Sequence, residues 1–192
     1  MKSVNKSTEM LVKIALLSAI AVVLMVFEFP ILPAFPFLKI DLSDLPAVIG
    51  AFGFGPMVGI VIELIKNILI ILVKGTGTAG VGELANFIVG ASYVGMAGLI
   101  YKKNKTKTGA VISLAAATIA MTIVGVLANY YILVPLYKLQ LQGADYITKY
   151  IVSGIVPFNL IKGIMVSAIT MLAYNKISIV IRAEGFKSKN AA

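Results

Sequence analysis

The stretch MLVKIALLSAIAVVLMVFEF, residues 10–29, decides how this chain is read. Its only charges are Lys13 and Glu28, and it is long enough to cross the roughly 30 Å hydrocarbon core of a bilayer as one helix. Lys2, Lys6 and Lys13 gather at its start, which places the N-terminus on the cytoplasmic side, and Pro30 stops it. No small-residue cleavage pattern follows. Phe27-Glu28-Phe29-Pro30 leads into a Pro-rich loop, so the run reads as a mature helix rather than a signal peptide.

The rest of the chain follows the same pattern. Of 192 residues, 59% are hydrophobic and 13% charged, and the mean hydropathy is +0.98. No soluble domain with a solvated face has such a balance, so lipid is the main solvent. The expected architecture is a single all-α membrane domain over residues 1–192, with six transmembrane helices near 10–29, 44–54, 57–73, 81–101, 109–137 and 151–181. Helix 2 is short, with Ser43 or Asp44 as its N-cap and Pro46 in its first turn. Pro135 and Pro157 are expected to interrupt helices 5 and 6. Between helices 1 and 2 lies PILPAFPFLKIDLSDLP, residues 30–46, which fits neither helical nor strand periodicity and reads as an ordered external loop.

Basic residues set the orientation, because loops rich in them stay inside. With both termini cytoplasmic, the inner segments hold eleven: Lys2, Lys6, Lys13, Lys102, Lys103, Lys105, Lys107, Lys176, Arg182, Lys187 and Lys189. The outer loops hold four, Lys39, Lys74, Lys138 and Lys149, and Lys66 and Lys162 fall within apolar spans. The net charge of +9 thus meets lipid head groups and not nucleic acid. No long internal repeat or pair of matching broken helices is present, which argues against a self-contained transporter built from inverted repeats.

Composition removes most chemistry. Without Cys, His or Trp there are no disulfides, thiolate nucleophiles, imidazole bases or ordinary zinc and haem ligand sets. Ser153 and Ser167 lie nine and five residues from Lys162 along the chain and the acidic residues are scattered, so an intramembrane enzyme is not expected. No phosphate loop of the form GxxxxGK[ST] occurs, so the chain has no ATP-driven motor of its own.

Polar groups inside apolar spans are costly and therefore mark candidate sites. Glu83 and Asn86 open helix 4, Asn129 lies in the outer half of helix 5, and Asn159 and Lys162 share one face of helix 6 just after Pro157. All fall at a similar depth near the external surface. Asn129 is followed by Tyr130, Tyr131 and Tyr137, an amide beside aromatic surface that would suit a flat heterocycle with imide-like edges. The plainer readings are an interhelical bond for Asn129, a Lys162–Glu83 pair, an interfacial belt for the tyrosines, and self-neutralisation for Glu63 and Lys66.

Four stretches carry a family likeness: FPFLKIDLSDLPAVIGAFGFGP (35–56), GELANF (82–87), ANYYILVPLY (128–137) and VPFNLIKG (156–163). In this order they resemble the riboflavin-recognising S components of energy-coupling-factor (ECF) vitamin transporters of bacterial and archaeal cell membranes. The resemblance implies six helices and a pocket near the outer surface. Asn129, Asn159 and Lys162 would contact riboflavin, and FMN is a further candidate, with Glu83 beside them. The loop carrying Phe37, Leu38, Lys39 and Asp41 would be the lid. It also implies a membrane scaffold subunit, contacted through Ala15 and Ala19 on helix 1, and two ATPase subunits, with no cofactor and no metal. Small residues four apart independently allow close helix approach. An S component for another vitamin, or a structural membrane protein whose polar residues staple helices, remain the alternatives.

Overall fold

The computed structural model describes residues 6–189, with side chains for 7–139 and 142–175. Lys2 lies outside the described residues, as do the side chains of Lys6, Lys176, Arg182, Lys187 and Lys189.

Helix α1 (Lys6–Val26) ends before the expected Phe29, because the chain there turns extended. Phe29–Pro30 (β1) pairs antiparallel with Lys39–Ile40 (β2), Phe29 opposite Ile40 and Pro30 opposite Lys39. Proline has no N–H to give a ladder and is tolerated in so short an edge pairing. Two residues a side leave no periodicity in the sequence, so the Pro-rich loop conceals a small hairpin.

Four helices follow: α2 (Asp44–Phe54), α3 (Pro56–Lys74), α4 (Val81–Lys103) and α5 (Lys107–Ala128). A π-helical turn at Asn129–Leu133 carries α5 into the single turn α6 (Val134–Leu136). A 3-10 turn at Leu139–Gln142, α7 (Ala144–Lys149), a second π segment at Tyr150–Ile155 and α8 (Val156–Lys189) complete the chain. The interruptions expected at Pro135 and Pro157 thus take the form of wider π turns immediately upstream. Each proline lacks the N–H that would bond four residues back, and the loosened register absorbs that loss without ending the helix.

Among the described residues five helices are long and apolar enough to span a membrane: Ser7–Val26, Pro56–Lys74, Val81–Lys103, Lys107–Leu136 and Ala144–Asn175. The eleven residues of α2 rise only about 16 Å, roughly half the hydrocarbon thickness. That helix is nonetheless central. Its Ala47, Val48, Ala51 and Phe52 are buried in the main core with Ile62, Tyr93, Leu114 and Val166 from the long helices. Hydroxyls stitch the bundle where no water is at hand: Tyr93 meets Ser167 at 2.8 Å and Tyr101 meets Tyr174 at 3.0 Å. The outward faces carry Leu16, Leu72, Ile119 and Leu172, exposed as lipid-facing side chains would be.

Candidate functional site

Two amides meet at Gly125 on α5. Asn129 donates its Nδ2–H to the Gly125 carbonyl at 2.8 Å, and a Cβ on Gly125 would stand 2.6 Å from Nδ2 of Asn159 on α8. Only glycine admits the second amide so closely. Asn159 donates in turn to the Ile155 carbonyl at 2.8 Å, and both side chains are buried. A primary amide has two N–H donors and two acceptor positions, so each keeps hydrogen-bonding capacity beyond these contacts.

Lys162 lies on the same face as Asn159, one turn along α8. Its ammonium stands 3.1 Å from Asp44 Oδ2 and 3.6 Å from Asp41 Oδ2. Asp44 also pairs with Lys66, whose Nζ lies 2.7 Å from Glu63 Oε2. Five charged side chains from the loop, α2, α3 and α8 are therefore joined, and none of them is more than 5% exposed. The expected Glu63–Lys66 pair exists but forms only part of this set. Asp44 does not cap α2; it sits inside the helix and turns its carboxylate to the two lysines.

The pairing of Lys162 with Glu83 does not occur. Glu83 is held in the Gly-rich connection before α4, accepting hydrogen bonds from the Thr76 and Thr78 hydroxyls at 3.0 and 3.2 Å. Asn86, one turn on, has a buried Oδ1 with no hydrogen bond among the described residues. Tyr130, Tyr131 and Tyr137 are exposed, so they do not supply aromatic surface to a buried site. The aromatic neighbour of Asn129 is Tyr150, whose hydroxyl donates to Asn129 Oδ1 at 2.5 Å.

The loop between α1 and α2 lies over these groups. Phe35 is buried against Gly154, where a Cβ would come within 3.0 Å of its ring, and meets Tyr150 edge-on at 5.7 Å between centroids. Phe37 leans on the same tyrosine at 6.0 Å with its outer face exposed, and Leu38 joins the cluster of Val134, Tyr150 and Ile155. Lys39 points outward to Glu28 at 3.0 Å, and Asp41 inward to Lys162. Ala15 and Ala19 are exposed on α1. An apolar crevice of about 270 Å³, lined by Leu24, Phe27, Phe29, Leu42, Met165 and Ile169, adjoins the polar set only through Asp41.

Sequence reasoning singled out neither Asp44 nor Tyr150 as a site residue. Asp44 carried a signal, since two aspartates three apart precede an apolar helix that needs no charge. Tyr150 carried none, because it reaches Asn129 across 21 residues through two π turns.

The arrangement offers donors, acceptors and a cation beneath an aromatic cover, the requirements for holding a flat polar guest. The chain matches the model of the ECF transporter substrate-specific component over residues 9–174. It is 41% identical over 171 residues to the riboflavin transporter RibU of Staphylococcus aureus, covering 88% of this chain and 89% of that protein. To the riboflavin transporter FmnP of Bacillus subtilis it is 40% identical over 174 residues, covering 87% and 90%. A solved S component of a bacterial ECF transporter is similar with a TM-score of 0.77 and 40% identity, over 90% of this chain and 97% of that one. Because the match runs from α1 into α8 and takes in the loop, both amides and the buried charges, the chain belongs to the substrate-specific component family of ECF transporters.

Proposed function

We propose that this chain binds riboflavin at the outer face of a bacterial or archaeal cell membrane and delivers it for ATP-driven uptake. The observation that carries this is the convergence of Asn129, Asn159 and Lys162, all buried, beneath the loop that bears Phe35 and Phe37. Amides with spare donors and acceptors suit the imide edge and hydroxyl chain of a flavin, and the apolar loop excludes water from it. Both named relatives are riboflavin transporters, which favours this vitamin over others.

In this reading α2 is a sixth, half-depth membrane element, and both termini face the cytoplasm. Glu83 stands at the rim and Lys39 and Asp41 belong to the lid. The exposed Ala15 and Ala19 meet a membrane scaffold subunit, which two ATPase subunits drive, since the chain has no phosphate loop. The protein binds and carries, and makes no covalent change to its ligand.

The test is the absorbance spectrum of detergent-purified protein. A yellow preparation that releases flavin on denaturation is expected, and Asn159→Ala should lose at least ten-fold in affinity. Asn159→Ala is the cleaner variant, because Lys162→Ala also strips a cation from Asp41 and Asp44. A colourless protein that cannot be loaded with riboflavin would overturn the reading. Titration with FMN in the same assay settles whether a terminal phosphate is admitted.

A further inference from the structure

Tyr150 does two things at once. Its ring is the surface on which the loop residues Phe35 and Phe37 rest, at 5.7 and 6.0 Å between centroids. Its hydroxyl, on the other side, donates to Asn129 Oδ1 at 2.5 Å. The residue is 1% exposed and opens the π segment Tyr150–Ile155, while Asn129 opens the π turn Asn129–Leu133. π turns are rare, and those within α-helices are often found at functional sites.

The hydrogen-bond count of Asn129 gives this contact its meaning. One N–H is spent on the Gly125 carbonyl and one acceptor position on Tyr150, leaving one donor and one acceptor in a fixed orientation. Turning the amide over would set its oxygen against the Gly125 carbonyl, which can only accept, so that carbonyl decides which way the amide faces; the Tyr150 hydroxyl, able to donate or accept, holds the other end of the amide in place.

We propose that Tyr150 is a positioning residue: through its hydroxyl it locks the Asn129 amide in the orientation that the Gly125 carbonyl selects, and through its ring it ties that lock to closure of the loop. This rests on the riboflavin reading for the identity of the ligand but not for the positioning itself. No residue between Phe35 and Asn129 other than Tyr150 is needed to connect them.

The experiment uses full-length protein with 15N-labelled asparagine in detergent micelles, as wild type, Tyr150→Phe and Phe35→Ala. The Asn129 side-chain amide pair should be sharp and distinct in the wild type. It should shift and broaden in Tyr150→Phe, and also in Phe35→Ala, although Phe35 makes no hydrogen bond to it. Unchanged amide signals in Tyr150→Phe would overturn the positioning role, and unchanged signals in Phe35→Ala would overturn the coupling to the loop.

Riboflavin binding supplies the second readout. Tyr150→Phe should weaken affinity about five-fold, the worth of one hydrogen bond. The double variant Asn129→Ala/Tyr150→Phe should bind no more weakly than Asn129→Ala alone, because the hydroxyl acts through the amide. Losses that multiply would mean that Tyr150 acts on the ligand by another route, and the proposal would fail. Wild type that takes up no riboflavin would sink the vitamin reading, while the amide signals would still decide the positioning claim.

Discussion

Asp44 and Glu28 are built alike and solvated differently. Asp44 bridges Lys66 and Lys162, with every charged side chain of the trio at most 5% exposed. Glu28, just past α1, bridges Lys39 at 3.0 Å and Lys74 at 2.5 Å, and those lysines are 43% and 44% exposed. Asp44 fastens α2 to the long helices α3 and α8, and Glu28 fastens the segment after α1 to Lys39 of the loop and to the end of α3. Around Asp44 the charges have traded water for one another, so the attraction between them and the penalty for leaving one alone are both large. Around Glu28 water competes for every charge, and both terms are small. The same motif is therefore a structural requirement in one place and an adjustable clasp in the other.

The largest expected effect follows from removing the centre of the buried trio. Asp44→Ala leaves Lys66 and Lys162 facing each other with one anion fewer, a break of the kind that costs about 3–5 kcal/mol. Folded, monodisperse protein on size exclusion in detergent should be largely lost. An Asp44→Ala variant with wild-type melting behaviour would show that the buried trio holds nothing, and the contrast with Glu28 would collapse. A milder strain on the same network is Gly90→Ala. Its new Cβ would sit 2.5 Å from Glu63 Oε2, forcing the carboxylate off Lys66, and about 1–3 kcal/mol of destabilisation is expected in thermal unfolding. If Gly90→Ala melts with the wild type, Glu63 is free to move and is not a fixed member of the set.

The same contrast separates what is legible in the sequence from what is not. Long apolar runs announced the spanning helices, because about 20 residues without charge have few alternatives to lipid. Asn129, Asn159 and Lys162 stood out because polar groups in such runs are expensive. What the sequence hid were partners. Nothing in residues 76–83 distinguishes a Glu83 that bonds Thr76 and Thr78 from one that reaches Lys162 across the bundle. Nothing local shows that α2, too short to span, is nevertheless a buried centre whose Asp44 serves two other helices. The hairpin Phe29–Pro30 with Lys39–Ile40 was equally invisible, since Pro30 argued against a strand. Residue chemistry marks which polar groups lie among apolar ones; pairing across helices depends on packing that periodicity does not encode.

The smallest effect tests the outer clasp. Glu28→Gln at pH 7 and low salt should cost no more than about 1 kcal/mol, read as a small drop in melting temperature relative to wild type. Partial burial of Glu28 works against its charged form, but hydrogen bonds and attraction from Lys74 and Lys39 outweigh that and hold its pKa below the usual glutamate value. A pKa lowered on folding means that the clasp contributes in full above the unfolded value, about 4.3, and fades as pH falls through the lower folded one. The wild-type advantage over Glu28→Gln should therefore persist from pH 7 to about pH 5 and vanish on further acidification. It should also shrink in 1 M salt, where the screening length falls to about 3 Å. The Asp44 trio, dry on all sides, should show no such salt dependence when Asp44→Asn is compared with wild type. A Glu28→Gln difference that ignores both pH and salt would mean that the outer contact works by packing and not by charge, and the two bridges would then differ in kind rather than in solvent.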